Sequence, residues 1–361
     1  MKKETKRKIL EKSDELLKFL DSVKCAEPVR FSDEEVKAIL EKEEKGAREN
    51  YDRAIQKFLE RNNETKGAAV KRFIVYWGYP GAGKSVMTQK LIERFAKDED
   101  CLPFNIIDKD EHRSLFPNLF DYLKGEHIDE CERFAGVTID YVRKILDLSL
   151  EKGNRSVLSV GSMGAGVEFK DNALKAINHG YKPCAVYMAV NPDIAYLSNI
   201  YRSATLYDKI IFKNQQLYPR LVSNEYFTKV VDQLPRMIKN IDKFQKENAK
   251  DVDLLVVNRA NELVYDSRGP HDIDVLSVIK NEEEATWLRT NDIITINMQL
   301  SKIYESMKYR YENGIYMPAR SEVDVAKVAV SNIKGLIERQ KDDKSNDLSR
   351  TWQDMASGFG M

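Results

Sequence analysis

Residues 78 to 85 read Gly-Tyr-Pro-Gly-Ala-Gly-Lys-Ser, the G-x-x-x-x-G-K-[ST] pattern of a P-loop. An apolar run from Phe73 to Trp77 leads into it. Val86 to Phe95 follows, with Met87, Leu91 and Phe95 on one helical face. Strand, Gly-rich turn and helix are the context the motif needs. The glycines Gly78, Gly81 and Gly83 let the backbone curl so that N–H groups converge on phosphate oxygens. Tyr79, Pro80 and Ala82 fill the variable positions. Lys84 is placed to reach the outer phosphates and Ser85 to ligate Mg²⁺, and the helix N-terminus adds a favourable dipole. The pattern predicts a site for ATP or GTP with Mg²⁺.

From about residue 70 to 268, strand-like and helix-like segments alternate, which predicts an α/β fold with a mainly parallel sheet flanked by helices. The expected strands are 72–77, 104–108, 156–160, 183–190 and 253–258. Segments 131–151 and 225–248 carry helical spacing. Residues 1–66 read as a helical N-terminal extension. Ile9, Leu16, Leu20 and Val23 form one stripe, and Ser32 with Glu35 forms a capping box before Val36. The core is expected over 67–270. Helices return over 271–340, and 341–361 reads as a polar tail.

Lys+Arg and Asp+Glu both number 58, a balance that argues against a chain built to grip nucleic acid through phosphates. The four cysteines are scattered, so they read as reduced residues of a cytoplasmic protein. The four histidines form no close pair, which argues against zinc. No apolar run approaches the length of a membrane span. The basic N-terminus is followed by a segment broken by charges, unlike a secretion signal.

The strand at 104–108 ends in Asp108-Lys109-Asp110. In a doubly wound sheet, ligands sit beyond the carboxyl ends of strands. One Asp could turn toward Ser85 and Mg²⁺ and the other toward an acceptor hydroxyl. The same D-x-D also serves as a plain turn or helix cap, and spacing alone does not choose. Arg202 and Arg220 are candidates to offset charge on a transferring phosphoryl group, or ordinary surface arginines.

The arrangement resembles the zeta toxin family of bacterial toxin–antitoxin systems. The resemblance covers roughly residues 72 to 268. It rests on Gly78–Ser85, on Ile106 to Arg113 with Pro117-Asn118, and on Asn191 to Ser198 leading to Arg202. Val230 to Pro235, Val257-Asn258-Arg259 and Val264 to Ser267 complete it. The family consists of P-loop kinases whose known members phosphorylate UDP-N-acetylglucosamine. By position, the resemblance implies that Lys84 and Ser85 bind phosphate and Mg²⁺; Asp108, the first Asp of the pair, is by its spacing the one that could turn toward Ser85 and the metal. The resemblance makes Asp110 the base that takes the acceptor proton, and Arg202 and Arg220 the lid arginines. Asp110, Arg113 and Ser162 fall on the acceptor side. It further implies a small nucleotide-like substrate and an antitoxin or chaperone partner, in a bacterial cytosol or, for a secreted effector, a host cytosol.

The departures fall on the acceptor side. The family usually has Glu-Gly-Thr at the end of the third strand, followed closely by an arginine. This chain has Val160-Gly161-Ser162, then Met163-Gly164-Ala165-Gly166. Arg143 occupies the region where a helix often carries a substrate-contacting Glu. The expected acceptor is therefore a nucleotide-like metabolite other than UDP-N-acetylglucosamine. Two alternatives compete: a nucleotide-binding pseudokinase, and a polynucleotide end kinase. A helix of the N-terminal extension is also expected either to extend the core or to cover the ATP entrance.

Overall fold

The computed structural model describes residues 1, 3–27, 29–64, 67–108, 118, 134, 139–161, 166–213, 221–269, 273–284, 288–315 and 317–340. Six strands form one sheet in the order β2-β3-β1-β4-β5-β6. They are β1 (Arg72–Trp77), β2 (Phe104–Asp108), β3 (Ser156–Gly161), β4 (Lys182–Ala189), β5 (Asp253–Asn258) and β6 (Leu263–Asp266). The first five run parallel, and β6 pairs antiparallel with β5. Every residue of β1 and β5 is buried, which explains their unbroken apolar runs: helices cover both faces of a parallel sheet. β2 is an edge strand, and only Ile107 in it is fully buried.

Ten helices surround the sheet among the described residues. They are α1 (Lys3–Ser22), α2 (Asp33–Glu64), α3 (Lys84–Asp98), α4 (Ile139–Lys152), α5 (Phe169–Asn178), α6 (Pro192–Lys213), α7 (Asn224–Glu247), α8 (Val275–Glu283), α9 (Thr290–Glu312) and α10 (Arg320–Arg339). None of the helices searched is long and apolar enough to cross a membrane. The capping box forms as the sequence predicts. The Ser32 N–H donates to Glu35 Oε2 at 2.8 Å, and the Glu35 N–H donates to Ser32 Oγ at 3.2 Å.

At the amino ends of the strands, Arg72 is wholly buried. Its guanidinium donates to Asp253 Oδ2 at 2.6 Å on β5 and to both carboxylate oxygens of Glu99, just past α3. One side chain thus ties β1, α3 and β5 together, on the side of the sheet away from the P-loop.

The stripe of α1 buries Ile9, Leu16 and Leu20 against α9 and α10. Polar pairs run antiparallel along the seam with α10. Lys6 donates to the carbonyls of Glu338 and Gln340, Lys334 pairs with Asp14, Lys327 with Asp21, and Arg320 with Glu27. Phe19 meets Tyr304 and Tyr311 edge-on. α9 and α10 pack in turn on α6. α2 takes a different course. Glu43, buried in α2, accepts from the Asn118 N–H at 3.0 Å and from Asn118 Nδ2 at 3.1 Å. Tyr51 lies edge-on to Tyr141 of α4, and Phe31, just before α2, to Phe134. α2 therefore lies against the region between β2 and β3.

Candidate active site

The carboxyl ends of the strands bring the site together. Asp108 is in register with Val160, and Trp77 with Gly161 on one side and Tyr187 on the other. The chain diverges around β1, since its neighbours β3 and β4 lead away to opposite edges. That is the switch point at which α/β sheets bind ligands. The P-loop leaves β1 there and runs into α3.

Gly81 (φ 82°) and Gly83 (φ 100°) hold left-handed conformations that favour glycine. The Ala82 N–H donates to the Tyr79 carbonyl at 3.1 Å, and the Val86 and Met87 N–H groups donate to Gly83 O. Lys84 Nζ donates to the carbonyls of Gly78 (3.0 Å) and Tyr79 (2.9 Å). The ammonium thus lies across the mouth of its own loop. Ser85 Oγ donates to Asp108 Oδ2 at 3.3 Å, which joins the P-loop to the end of β2.

The residues fit Mg²⁺ in a nucleotide-assisted way. Among the described residues no group of three or more His, Cys, Asp or Glu side chains could hold a metal. An exposed hydroxyl and a carboxylate beside a phosphate cradle suit Mg²⁺, which keeps waters and takes ligands from the substrate phosphates.

Aromatic rings underlie the loop. Tyr187 packs on Trp77 (centroids 4.7 Å) and edge-on to Tyr79 (6.5 Å). Phe227 of α7 lies between Tyr79 and Tyr196 of α6. The first turns of α6 press directly on the loop backbone at Gly81.

Arg202 sits on α6 and donates to Asn199 Oδ1 at 3.1 Å. Arg143 of α4 pairs with Glu168, just past the β3 loop, at 2.7 Å. Asp110, Arg113, Ser162 and Arg220 lie outside the described residues, so of the expected site the structure brings together the P-loop, Asp108 and the α6 segment that carries Arg202.

The sequence reading missed Glu283, at the end of α8. Tyr187 donates to Glu283 Oε1 at 2.5 Å and Tyr79 to Oε2 at 3.1 Å. Burial pushes this carboxyl up from its ordinary 4.5 to about 7, and its two tyrosine bonds oppose that rise. Beyond β4 and β5 lies a cavity of about 210 Å³ lined by Asn191, Ile194, Arg259, Leu288, Arg289 and Asp292. Arg259 and Asp292 face each other there at 3.7 Å.

The zeta toxin family model matches residues 55–269, more than half of the 361-residue chain. The chain belongs to the zeta toxin family. The family match begins inside α2 and ends before α8. A structure from the PezAT chromosomal toxin–antitoxin system of Streptococcus pneumoniae shares the fold. Its TM-score is 0.53 at 19% identity, covering 72% of this chain and 97% of that one. The AvrRxo1-ORF1:-ORF2 complex with ATP is more distant, at TM-score 0.45 and 10% identity over 79% of this chain and 88% of that one. No curated protein matches the chain. The zeta-toxin P-loop kinase fold expected from residues 72 to 268 is thus present, with β6 as an added antiparallel edge.

Proposed function

We propose that this zeta toxin family protein is an ATP-dependent kinase that transfers the γ-phosphoryl group to a hydroxyl of a nucleotide-like metabolite. One observation carries the reading: the P-loop, with Lys84 and Ser85, stands at the switch point within hydrogen-bonding reach of Asp108. Lys84 would leave its loop carbonyls for the outer phosphates. Ser85 and Asp108 would hold Mg²⁺, which when bound offsets phosphate charge. Asp110, two residues past Asp108, is proposed to take the acceptor proton. Arg202 and Arg220 are proposed to stabilise charge on the transferring group, and Arg113 and Ser162 to contact the acceptor.

The acceptor side supports a substrate other than UDP-N-acetylglucosamine. Val160 replaces a family carboxylate. Arg143, in the region where the family carries a helix Glu, pairs with Glu168, and the arginine that the family has soon after the third strand is missing from Met163 to Gly166. A site built for particular hydroxyls rejects them strongly when its partners change. The family setting further supports an antitoxin or chaperone as a protein partner.

The test is radiolabelled phosphate transfer from ATP across a panel of UDP-N-acetylglucosamine, NAD and a 5′-hydroxyl oligonucleotide. We expect transfer to a dinucleotide such as NAD and little to UDP-N-acetylglucosamine. Asp110→Asn should keep ATP affinity within a few-fold while transfer falls about a hundredfold or more. Efficient, saturable transfer to UDP-N-acetylglucosamine would overturn the acceptor assignment. Transfer to no acceptor would favour the pseudokinase, and transfer to the oligonucleotide the end kinase.

A further inference from the structure

Tyr79 is held at both ends. Its carbonyl accepts from Lys84 Nζ, and its hydroxyl donates to Glu283. If the P-loop binds ATP, as proposed above, Lys84 must release that carbonyl to reach the phosphates. The Ala82 N–H still donates to that carbonyl within the loop, and the side-chain bond to Glu283 ties Tyr79 to α8.

We propose that Glu283 is a positioning residue for nucleotide phosphate, setting the first turn of the P-loop through the Tyr79 hydroxyl. The carboxylate geometry fits this task. Each oxygen takes one hydroxyl, Oε1 from Tyr187 on β4 and Oε2 from Tyr79 on the loop. The loop is thereby fixed relative to the strand beside β1. An amide offers one accepting oxygen only, so a glutamine cannot reproduce the fork.

The placement of α8 is itself secured. Asn191 Nδ2 donates to the Glu283 carbonyl at 2.7 Å, while Asn191 Oδ1 accepts from the Asp193 and Ile194 N–H groups that open α6. α6 is the helix that presses on Gly81. The end of α8 thus reaches the P-loop by two routes, one through Tyr79 and one through the start of α6. Glu283 lies beyond residue 269, where the family match ends. The loop of this chain is therefore supported by a segment outside that match.

Burial supports the same conclusion. Desolvation disfavours the charged carboxylate, the form in which both oxygens accept fully from the two hydroxyls. A side chain selected for stability alone would be better neutral. The titratable groups facing it are Tyr79, Tyr187 and Glu284.

The test is MgATP binding by calorimetry on the full-length protein from pH 6 to 8.5, beside Tyr79→Phe, Glu283→Gln and the double variant, with melting temperatures recorded. We expect each single change to weaken MgATP binding by about five- to tenfold, the scale of one lost hydrogen bond. The double variant should be no weaker than either single, since both remove the same link. Wild-type affinity should change over the range in which the carboxylate titrates, whereas Glu283→Gln should give a flat profile. Wild-type affinity in a folded Glu283→Gln, or additive losses in the double variant, would overturn the proposal. If Glu283→Gln does not fold, Tyr79→Phe decides, because it keeps the ring packing and removes only the hydroxyl. A wild-type protein that binds no MgATP at any pH would instead remove the ATP-site reading, and the proposal with it.

Discussion

Gly81 and Ala195 leave no room for a side chain between them: a Cβ at position 81 would sit 2.1 Å from the Ala195 carbonyl oxygen and 2.8 Å from the Asn199 nitrogen. The P-loop and α6 are in backbone contact. Gly81 also holds a φ of 82°, which an L side chain rarely adopts. Gly81→Ala should therefore both displace the loop and strain it, at about 1–3 kcal/mol for each effect. The expected outcome is a folded but less stable protein with MgATP binding weakened tenfold or more, read by thermal melts and calorimetry. Unchanged binding would show that the loop can retreat from α6 without loss.

Lys84 is the cation of the P-loop and is already turned into its mouth by two carbonyls. Lys84→Ala should reduce phosphotransfer by at least about a hundredfold, as for the loss of a preorganised charge. Single-turnover assays with saturating ATP provide the check. Near wild-type turnover would take the loop out of the chemistry.

Two carboxylates move stability with pH in opposite directions. Glu99 is held below its ordinary 4.5 by the Arg72 guanidinium. Its contribution is present above 4.5 and is lost as the pH falls through the lower folded value. Glu283 is raised to about 7, so its contribution is complete below 4.5 and is lost as the pH rises through 7. Urea unfolding at pH 5 and pH 8 should show Glu283→Gln gaining on wild type at the higher pH. The reverse trend would mean that the carboxylate is not ionised against a cost.

Arg72→Ala leaves Asp253 buried without the guanidinium it accepts from at 2.6 Å. Removing one partner of a buried pair costs about 3–5 kcal/mol. The variant should unfold at much lower urea than wild type at pH 7. A change under about 1 kcal/mol would place the weight of that corner on packing, with the buried pair close to break-even against its desolvation.

Glu43 accepts both donors of Asn118 from a buried position. Glu43→Ala should cost about 0.5–1.5 kcal/mol, the net worth of an ordinary hydrogen bond, since the exposed Asn118 can turn to water instead. It should also raise KM for the acceptor more than for ATP, since α2 lies against the segment between β2 and β3. Equal effects on both would count against a link between α2 and the acceptor side.

The parallel sheet and the P-loop were legible in the sequence because both are local signals. Runs such as Phe73 to Trp77 and Leu254 to Val257 are apolar on both faces, and the loop motif is contiguous. The four-residue strand β6 carries no such local signal, as its pairing with β5 depends on the partner strand more than on its own composition. The stripe of Ile9, Leu16 and Leu20 announced a buried face but could not say which surface covers it. That surface proved to be α9 and α10, while α2 packs on the segment between β2 and β3. Glu283 was invisible for a related reason. It stands 204 residues from Tyr79 in sequence, in a nine-residue helix whose pattern resembles that of any short surface helix. Only the fold reveals that its carboxylate meets two tyrosines.

The seam between α1 and α10 joins residues as far as 334 apart in sequence. At synthesis rates of about 5–20 residues per second, α1 spends tens of seconds outside the ribosome before its partner is made. For most of that interval neither of the two helices that cover its apolar stripe in the folded protein, α9 and α10, has been made. The cell must therefore tolerate or shield an exposed helix throughout translation, and the bundle that braces α6 against the P-loop assembles only after α10 has emerged. Full nucleotide affinity should accordingly arrive late, with the last helix rather than with the loop that carries the motif.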